Sequence, residues 1–415
     1  MDFYGYMRPN GKAGARNYVL LLPVNRSLNF IASNVERMTR NTRHFEIPAE
    51  TGRTEVDREV IARTLIGLMH NANVGGIVLL AVKSGAGSAY KNMCAERFEE
   101  EARKTGKPFR IVYLTNVGGS YNMLGETLRL TREVLLEVSD FRRENCPLSA
   151  LTLGVKCGTS DATSGIAGNP CVGAAFDQLI RAGGTAFFSE TTEIIGAEDL
   201  VAKRAVNESV AKKILSAARH WEDKAKATGE DIRKINPIPA NIAAGISSLE
   251  EKSLGAIAKS GTSPIQDVLK YAEMPKGSGL YFVDSWMSSL SLPLCLTACG
   301  ATIMLYQMGG GKIAQHPMMP SINPTVVSPF LYLTGNAIAY SRAPDNFDFD
   351  ASPIMTEGAS IPEMGTKLLE HLSAIASGTM TKMETLNYAE QLELYMEGPY
   401  LGSIISILFQ VIPFQ

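Results

Sequence analysis

Between Tyr18 and Val138, short apolar runs alternate with longer stretches of helical spacing, and that alternation leaves the chain few folds to choose from. Tyr18 to Pro23, His44 to Ile47, Ile77 to Val82 and Arg110 to Thr115 read as strands. The segments Asn25 to Thr39, Thr54 to Asn71, Ala89 to Thr105 and Met123 to Val138 read as helices. In the second of these, Val56, Val60, Ile61, Leu65, Ile66 and Met69 recur near helical intervals. Strands joined through helices pair in parallel, and the helices cover the sheet they connect. Ligands of such sheets sit outside the carboxyl ends of the strands, which points to the loops after Val24, Val82 and Leu114.

The rest of the chain carries more chemistry in its loops. Leu151 to Val155 is an apolar strand that opens into Cys157, Gly158, Thr159, Ser160, Asp161, Thr163, Ser164, Gly165, Asn169 and Pro170. Thr185 to Ser189 is another, delivering Glu190 and Glu193 into a loop followed by Glu198 and Asp199. Glycines let backbone approach a ligand, and short hydroxyl, thiol and carboxyl groups supply donors, acceptors, a nucleophile or metal ligands. The same residue types build ordinary turns, so composition leaves a structural loop and a reactive one both open. Strands are also expected at Leu280 to Asp284, Ala301 to Leu305 and Phe330 to Thr334, and helices at Asp199 to Ala227, Ile361 to Ser377 and Lys382 to Tyr395. Gly309-Gly310-Gly311 follows a strand and can cradle an anion, but it lacks the Gly-Lys-Ser/Thr ending of an ATP-binding loop.

At 415 residues the chain exceeds one typical core. The charged, Pro-terminated stretch from Asp140 to Pro147 divides it into an N-terminal α/β domain, 1–145, and a C-terminal α/β domain, 146–415. Each is expected to hold a mixed or parallel sheet with covering helices. Hydrophobic content of 45% and charged content of 20% are those of a soluble globular protein. A net charge of −2 without a long basic run argues against nucleic-acid binding. Six scattered cysteines and a polar start without an apolar leader core suit a reduced, cytoplasmic protein. No apolar run is long enough to span a membrane; Leu401 to Gln415 is expected to dock on the core or on a partner subunit.

Four stretches together carry a resemblance. They are Cys157-Gly158-Thr159-Ser160-Asp161 with Ser164-Gly165 and Asn169-Pro170, Ser189-Glu190-Thr191-Thr192-Glu193 with Gly196-Ala197-Glu198, Glu250-Glu251-Lys252-Ser253-Leu254-Gly255 with Lys259, and Gly5 to Asn17 with Arg8 and Arg16. In this order they resemble the galactarate and altronate dehydratase family, which includes the large subunit of sulfolactate sulfo-lyase, from Gly5 to about Glu397. The resemblance implies a metal-dependent hydro-lyase that removes water from a sugar acid, an aldarate or aldonate, to give a 2-keto-3-deoxy acid. Its alternatives are a sulfolactate-type sulfo-lyase subunit and a non-catalytic ligand-binding or scaffold relative.

Carried onto this chain, the resemblance implies Glu190, Glu193, Lys252 and Asp161 as catalytic groups. Arg8, Arg16, Ser160, Ser164, Asn169, Lys259 and Gly310 would bind substrate. Cys157 and Asp284 would hold a divalent metal, expected to be iron, and His316, read from its own chemistry, is a further candidate as metal ligand or acid. Read without the resemblance, Arg8, Arg16, Lys252, Lys259 and His316 are structural or solvated. A His-x-x-Gly-Cys motif and a Gly-Cys-Glu motif of the family are replaced here by Phe45 to Arg53 and Ala81 to Gly87, neither with a cysteine. The family's N-terminal β-rich domain has no counterpart in the sequence, which implies a small β-rich partner subunit in addition to a homo-oligomer. No Gly-x-Ser-x-Gly is present and Cys157 has no evident His partner, so hydrolase chemistry is weakly supported.

Overall fold

The computed structural model describes residues 1–83, 90–310, 323–386 and 393–399. His316, Gly311 and the apolar run Leu401 to Gln415 lie outside the described residues. The strands are β1 (Asp2–Met7), β2 (Ala13–Gly14), β3 (Tyr18–Pro23), β4 (Thr42–His44), β5 (Val74–Ala81), β6 (Phe109–Tyr113) and β7 (Glu144–Pro147) in the first part of the chain. They continue as β8 (Thr152–Gly158), β9 (Thr185–Phe188), β10 (Ile265–Leu269), β11 (Gly279–Val283), β12 (Ile303–Met308), β13 (Phe330–Thr334) and β14 (Phe349–Asp350).

Two parallel sheets carry the molecule. The smaller has the order β4-β3-β5-β6 and the larger β10-β11-β9-β8-β12-β13-β14; every pairing within both is parallel. Their strands are apolar on both faces, as a doubly covered sheet requires. Along β3, Leu20 and Leu22 enter one core while Val19 and Leu21 enter another; along β12, Met304 and Tyr306 part from Ile303 and Leu305 in the same way. Helices Asn29–Met38 and Ser120–Ser139 cover the outer face of the small sheet. Helices Asn169–Arg181 and Ile361–Ala376 cover that of the large one. Between the sheets lie helices Glu55–His70 and Ser291–Cys299, so one apolar core serves both halves. No helix among the described residues is long and apolar enough to cross a membrane.

The stretch Glu144–Pro147 that marks the change of domain in the sequence is itself a strand, paired antiparallel with β1. Phe3 and Cys146 then join the core beneath helix Ile361–Ala376. The seam between the sheets is fixed by amides: Asn71 Nδ2 donates to the carbonyls of Thr297 and Ala301, both at 2.9 Å, and Asn73 Nδ2 to that of Thr302 at 2.8 Å. Two expected helices differ. Asp199 to Ala227 is broken into Glu198–Ala202 and Glu208–Ala227, because Ala205 bridges to Ile265 and the Asn207 side chain caps a new start by accepting from the Val210 N–H. Lys382 to Tyr395 has, among its described residues, only a 3-10 turn, Glu384–Leu386, whose Glu384 is held by Arg16.

Helices Glu55–His70 and Ser291–Cys299 touch where neither has room for another atom. A Cβ on Gly67 would lie 2.1 Å from the Ala298 carbonyl oxygen, whereas one on Gly125 in helix Ser120–Ser139 would meet nothing within 4 Å. Alanine is the better helix former by about 1 kcal/mol. Gly125→Ala should therefore raise stability by about 0.5–1 kcal/mol, and Gly67→Ala should lower it by about 1–3 kcal/mol through overpacking. Urea unfolding of the two variants beside the parent measures the opposite signs.

Candidate active site

The carboxyl ends of β8, β9, β11, β12 and β13 meet on one rim, where apolar strand gives way to polar loop. Leaving β8 the chain moves to β9 on one side; leaving β12 it moves to β13 on the other. The crevice between β8 and β12 is thus a topological switch point, the usual ligand position in such sheets. Cys157 and Gln307 face each other across it in register.

Beyond Cys157 the loop is organised by Asp161. Its Oδ1 accepts from Thr163 Oγ1 at 2.6 Å and from the Ser164 N–H at 3.1 Å, and its Oδ2 accepts from Asn336 Nδ2 at 2.8 Å. A π-helical turn, Ser164–Gly168, then leads into helix Asn169–Arg181. Such turns often mark functional sites. Loops from β12 and β13 close onto this one through residues without side chains. A Cβ on Gly309 would sit 2.4 Å from the Thr159 carbonyl oxygen, one on Gly335 2.6 Å from the Gly168 nitrogen, and one on Gly310 2.6 Å from Asn336 Nδ2.

Glu190 follows β9 in left-handed backbone, φ 72° and ψ 64°, an uncommon state for a residue with a side chain. Its neighbours hold it there. Ser189 Oγ donates to the Val283 carbonyl at 2.6 Å, and Thr191 Oγ1 to Asp284 Oδ1 at 2.7 Å. The next turn raises Glu193 three residues on. Facing these two acids are Lys252, on helix Leu249–Ile257, and Lys259, on the 3-10 turn Ala258–Ser260 that continues it. Seven residues is about two helical turns, so both lysines lie on one side of this element. Lys259 pairs with Glu190, and Lys252 Nζ lies 3.1 Å from Glu193 Oε1 and 2.6 Å from Asn236 Oδ1.

Lys156 completes the inner cluster. Its Nζ donates to the Cys157 carbonyl at 2.6 Å, lies 3.4 Å from Glu190 Oε1 and rests 4.8 Å from the Tyr306 ring centre. Lys259 Nζ also reaches Cys157 Sγ at 3.1 Å, and the Cys157 N–H donates to Glu190 Oε2 at 3.1 Å. Glu190 and Lys259 are each 1% exposed, Lys156 and Cys157 each 3%. Burial by itself would raise the Glu190 pKa; Lys259 and Lys156 outweigh it and hold the carboxyl below its usual range. Burial opposes both ammonium groups too, yet Tyr306 and Glu190 for Lys156, and Cys157 and Glu190 for Lys259, keep both charged. Burial and Glu190 push the Cys157 thiol up to about 11. Two ammonium groups around one carboxylate leave this cluster with positive charge to spare.

A cavity of about 290 Å³ adjoins it, lined among others by Ser160, Asp161, Ser164, Asn169, Lys252 and Gly255. Seven expected residues thus converge on the inner cluster or its cavity wall with Ser160: Cys157, Asp161, Ser164, Asn169, Glu190, Lys252 and Lys259. Glu193 joins them through Lys252, and Gly310 packs behind through Asn336. Arg8 and Arg16 lie elsewhere, at the amino ends of the strands. Arg8 donates to the Ala72 carbonyl and to Asn17 Oδ1, both at 2.8 Å, while Arg16 pairs with Glu384 at 2.6 Å. Arg16 does line a larger, open cavity of about 1,400 Å³ between the two halves, which contains none of the Glu190 cluster. Lys156, Gln307 and Asn336 were not singled out from the sequence; a lysine directly after the apolar run Leu151 to Val155 is the signal that could have found the first.

Among the described residues no three His, Cys, Asp or Glu side chains converge in a way that could hold an ion. Cys157 stays a thiol engaged with Lys259, and Asp284 is taken up by Thr191 and by Trp221 Nε1 at 2.9 Å. In place of the family's first cysteine motif, Phe45 and Ile47 enter the core and Glu50 accepts from the Arg26 N–H at 3.2 Å.

The model of the family D-galactarate/altronate dehydratase, C-terminal, matches residues 148–398, and that of D-galactarate dehydratase/altronate hydrolase, second domain, matches residues 5–139. The chain belongs to the galactarate and altronate dehydratase family. It is 32% identical over 394 residues to the (2R)-sulfolactate sulfo-lyase subunit beta of Chromohalobacter salexigens, covering 94% of this chain and 96% of that one. The altronate dehydratase of Bacillus subtilis is 29% identical, over 95% of this chain and 78% of its own. The galactarate dehydratase of Escherichia coli is 30% identical, over 91% and 73%. These relatives are lyases, and the matched stretches include all the residues of the Glu190 cluster.

Glu190 is kept charged by partners it has only in the folded chain. Its contribution to stability is complete above the unfolded carboxyl pKa of about 4.3 and is lost as pH falls through the lower folded value. Lys259→Met should destabilise the protein by about 3–5 kcal/mol at neutral pH, because a buried charge loses its partner. Adding Glu190→Gln to that variant should recover part of the loss and flatten the acid limb of the stability curve. Urea midpoints between pH 3 and pH 7 follow both effects.

Proposed function

We propose that this chain is a lyase that takes the proton beside a carboxylate and expels a group from the next carbon, dehydrating a sugar acid such as galactarate or altronate. The observation that carries this reading is the state of Glu193. It is 4% exposed, one oxygen is anchored by Lys252, and Oε2 has no hydrogen-bond partner. A carboxylate held at one end and free at the other is built to accept a proton from a positioned carbon acid. Lys252, anchored to Glu193 and Asn236 and lining the cavity, faces the negative charge that then develops on the substrate carboxylate, where an ammonium group in a dry site is most effective. Ser160, Ser164 and Asn169 grip hydroxyls. The excess positive charge of Lys156 and Lys259 favours an anion in the crevice.

The balance is simple. The C–H bond beside the carboxylate gives its proton to Glu193 and its electron pair to a new C=C bond. The hydroxyl on the next carbon leaves with a proton as water, and the resulting enol becomes the 2-keto-3-deoxy acid. In a second reading, favoured by the near-complete mutual coverage with the sulfo-lyase subunit beta, the same proton is taken from sulfolactate and sulfite leaves instead. That reading brings with it a separate partner subunit. The metal content of protein purified with and without air tests whether iron takes part.

The test is a screen of aldarates, aldonates and sulfolactate for 2-keto product and for sulfite. Glu193→Gln should lower kcat by about 10²–10⁴ while leaving ligand binding within a few fold. If no acid is turned over by the parent chain, alone or with a co-purified subunit, the lyase reading is wrong. A sugar acid that still raises Tm would then mark the chain as a binding protein.

A further inference from the structure

The inner rim contains a group to which the elimination chemistry assigns nothing. Gln307, near the carboxyl end of β12, is fully buried, yet neither its Nε2 nor its Oε1 has a hydrogen-bond partner. Buried amides are nearly always satisfied, and one that lacks both partners is unfavourable in the unliganded chain. Residues in register with it on the same side of the sheet are Cys157 and, one step further in, the apolar Val155 and Leu305. An apolar residue of the same size would fit that setting better. The deficit is not isolated: Asn169 Oδ1 and Thr159 Oγ1 are also buried without partners, and Thr159 has the left-handed φ of 46°, a strained state for a β-branched residue. Strain and unmet polar groups gathered in one place point to a ligand.

We propose that Gln307 is a specificity-determining residue, its amide reserved for a hydroxyl of the substrate; this rests on the elimination reading above. An amide presents one donor and one acceptor side by side, and an alcohol is the small group that accepts and donates at once. A carboxylate or sulfonate would satisfy Nε2 and repel Oε1; an ammonium group would do the reverse. Gln307 therefore selects a polyhydroxy acid over its deoxy or purely anionic analogues. The π-helical turn Ser164–Gly168 lies between this amide and the cavity. Ser164 and Gly165 of this turn line the cavity on one side, and Gly168 lies against Gln307 on the other, where a Cβ would be 2.3 Å from Nε2. Gly255 crosses Gly165 at the cavity wall, where a Cβ on Gly165 would lie 3.1 Å from the Gly255 Cα.

The discriminating variant is Gln307→Met, similar in volume and without polar atoms. The expected result is an unliganded Tm equal to or above that of the parent, together with a KM for the sugar acid raised at least tenfold and a kcat changed less. In calorimetry with galactarate and its deoxy analogue, the parent should prefer the hydroxylated acid and Gln307→Met should not. A Tm lowered by several degrees would show that the amide supports the fold, and an unchanged KM or unchanged preference would show that it reads nothing; either overturns the proposal. If the parent turns over no acid, the elimination reading fails by itself. Gln307 is then judged on galactarate binding and Tm, where equal affinity in parent and variant, zero included, overturns its role.

Discussion

Two ammonium groups held around one carboxylate, all sealed from water, set the terms for the rest of the molecule. Lys156 and Lys259 are tolerable in the interior only because Glu190 lies between them, and Glu190 is charged only because they are there. Such a group is poor as a source of stability, since taking each charge out of water costs several kcal/mol before any attraction is counted. Its value is positional. To bring Glu190 between the lysines, the backbone after β9 adopts a left-handed turn, fastened by Thr191 to Asp284 and by Ser189 to the Val283 carbonyl. The turn also carries Glu193 to Lys252. A stiff, charged floor thus lies beside Glu193, whose Oε2 has no hydrogen-bond partner.

That floor needs a rigid frame, and the shared core supplies it. Helices Glu55–His70 and Ser291–Cys299 are common to both sheets, and Asn71 and Asn73 donate to the carbonyls of Thr297, Ala301 and Thr302 just before β12. The amino ends of the strands are therefore tied, and Arg8, Arg16 and Lys107 serve there as donors to backbone carbonyls. The carboxyl ends are left to the loops. Rigidity and chemistry occupy opposite ends of the same strands.

Strand and helix alternation made the parallel sheets legible, because chain connectivity alone forbids hairpins there. The Cys157 to Asn169 loop and the Glu190 to Glu193 turn stood out because polar residues clustered directly after apolar strands. Arg8 and Arg16 misled for a physical reason: a guanidinium fork fits backbone carbonyls or Glu384 as well as it fits a substrate carboxylate, and spacing cannot tell these apart. Lys156 and Gln307 were hidden because the apolar runs end at Val155 and Leu305, while the strands themselves continue to Gly158 and Met308. The break at Asn207 was readable in retrospect, since Asn207-Glu208 is a helix-start signal. Asp161 looked like an acid for catalysis; its oxygens are taken by Thr163, Ser164 and Asn336, so it shapes the loop.

Gly309 and Gly335 bring three loops into backbone contact at the crevice. A Cβ at Gly309 would lie 2.4 Å from the Thr159 carbonyl oxygen and one at Gly335 2.6 Å from the Gly168 nitrogen, both too close to be accommodated without a shift, so these two bare carbons act as a ruler for the gap between those loops. Descendants of this chain could exchange reactive groups and change their diet while keeping the ruler. A homologue that lost it would have rebuilt the mouth of the site, whatever its lysines and glutamates still spelled.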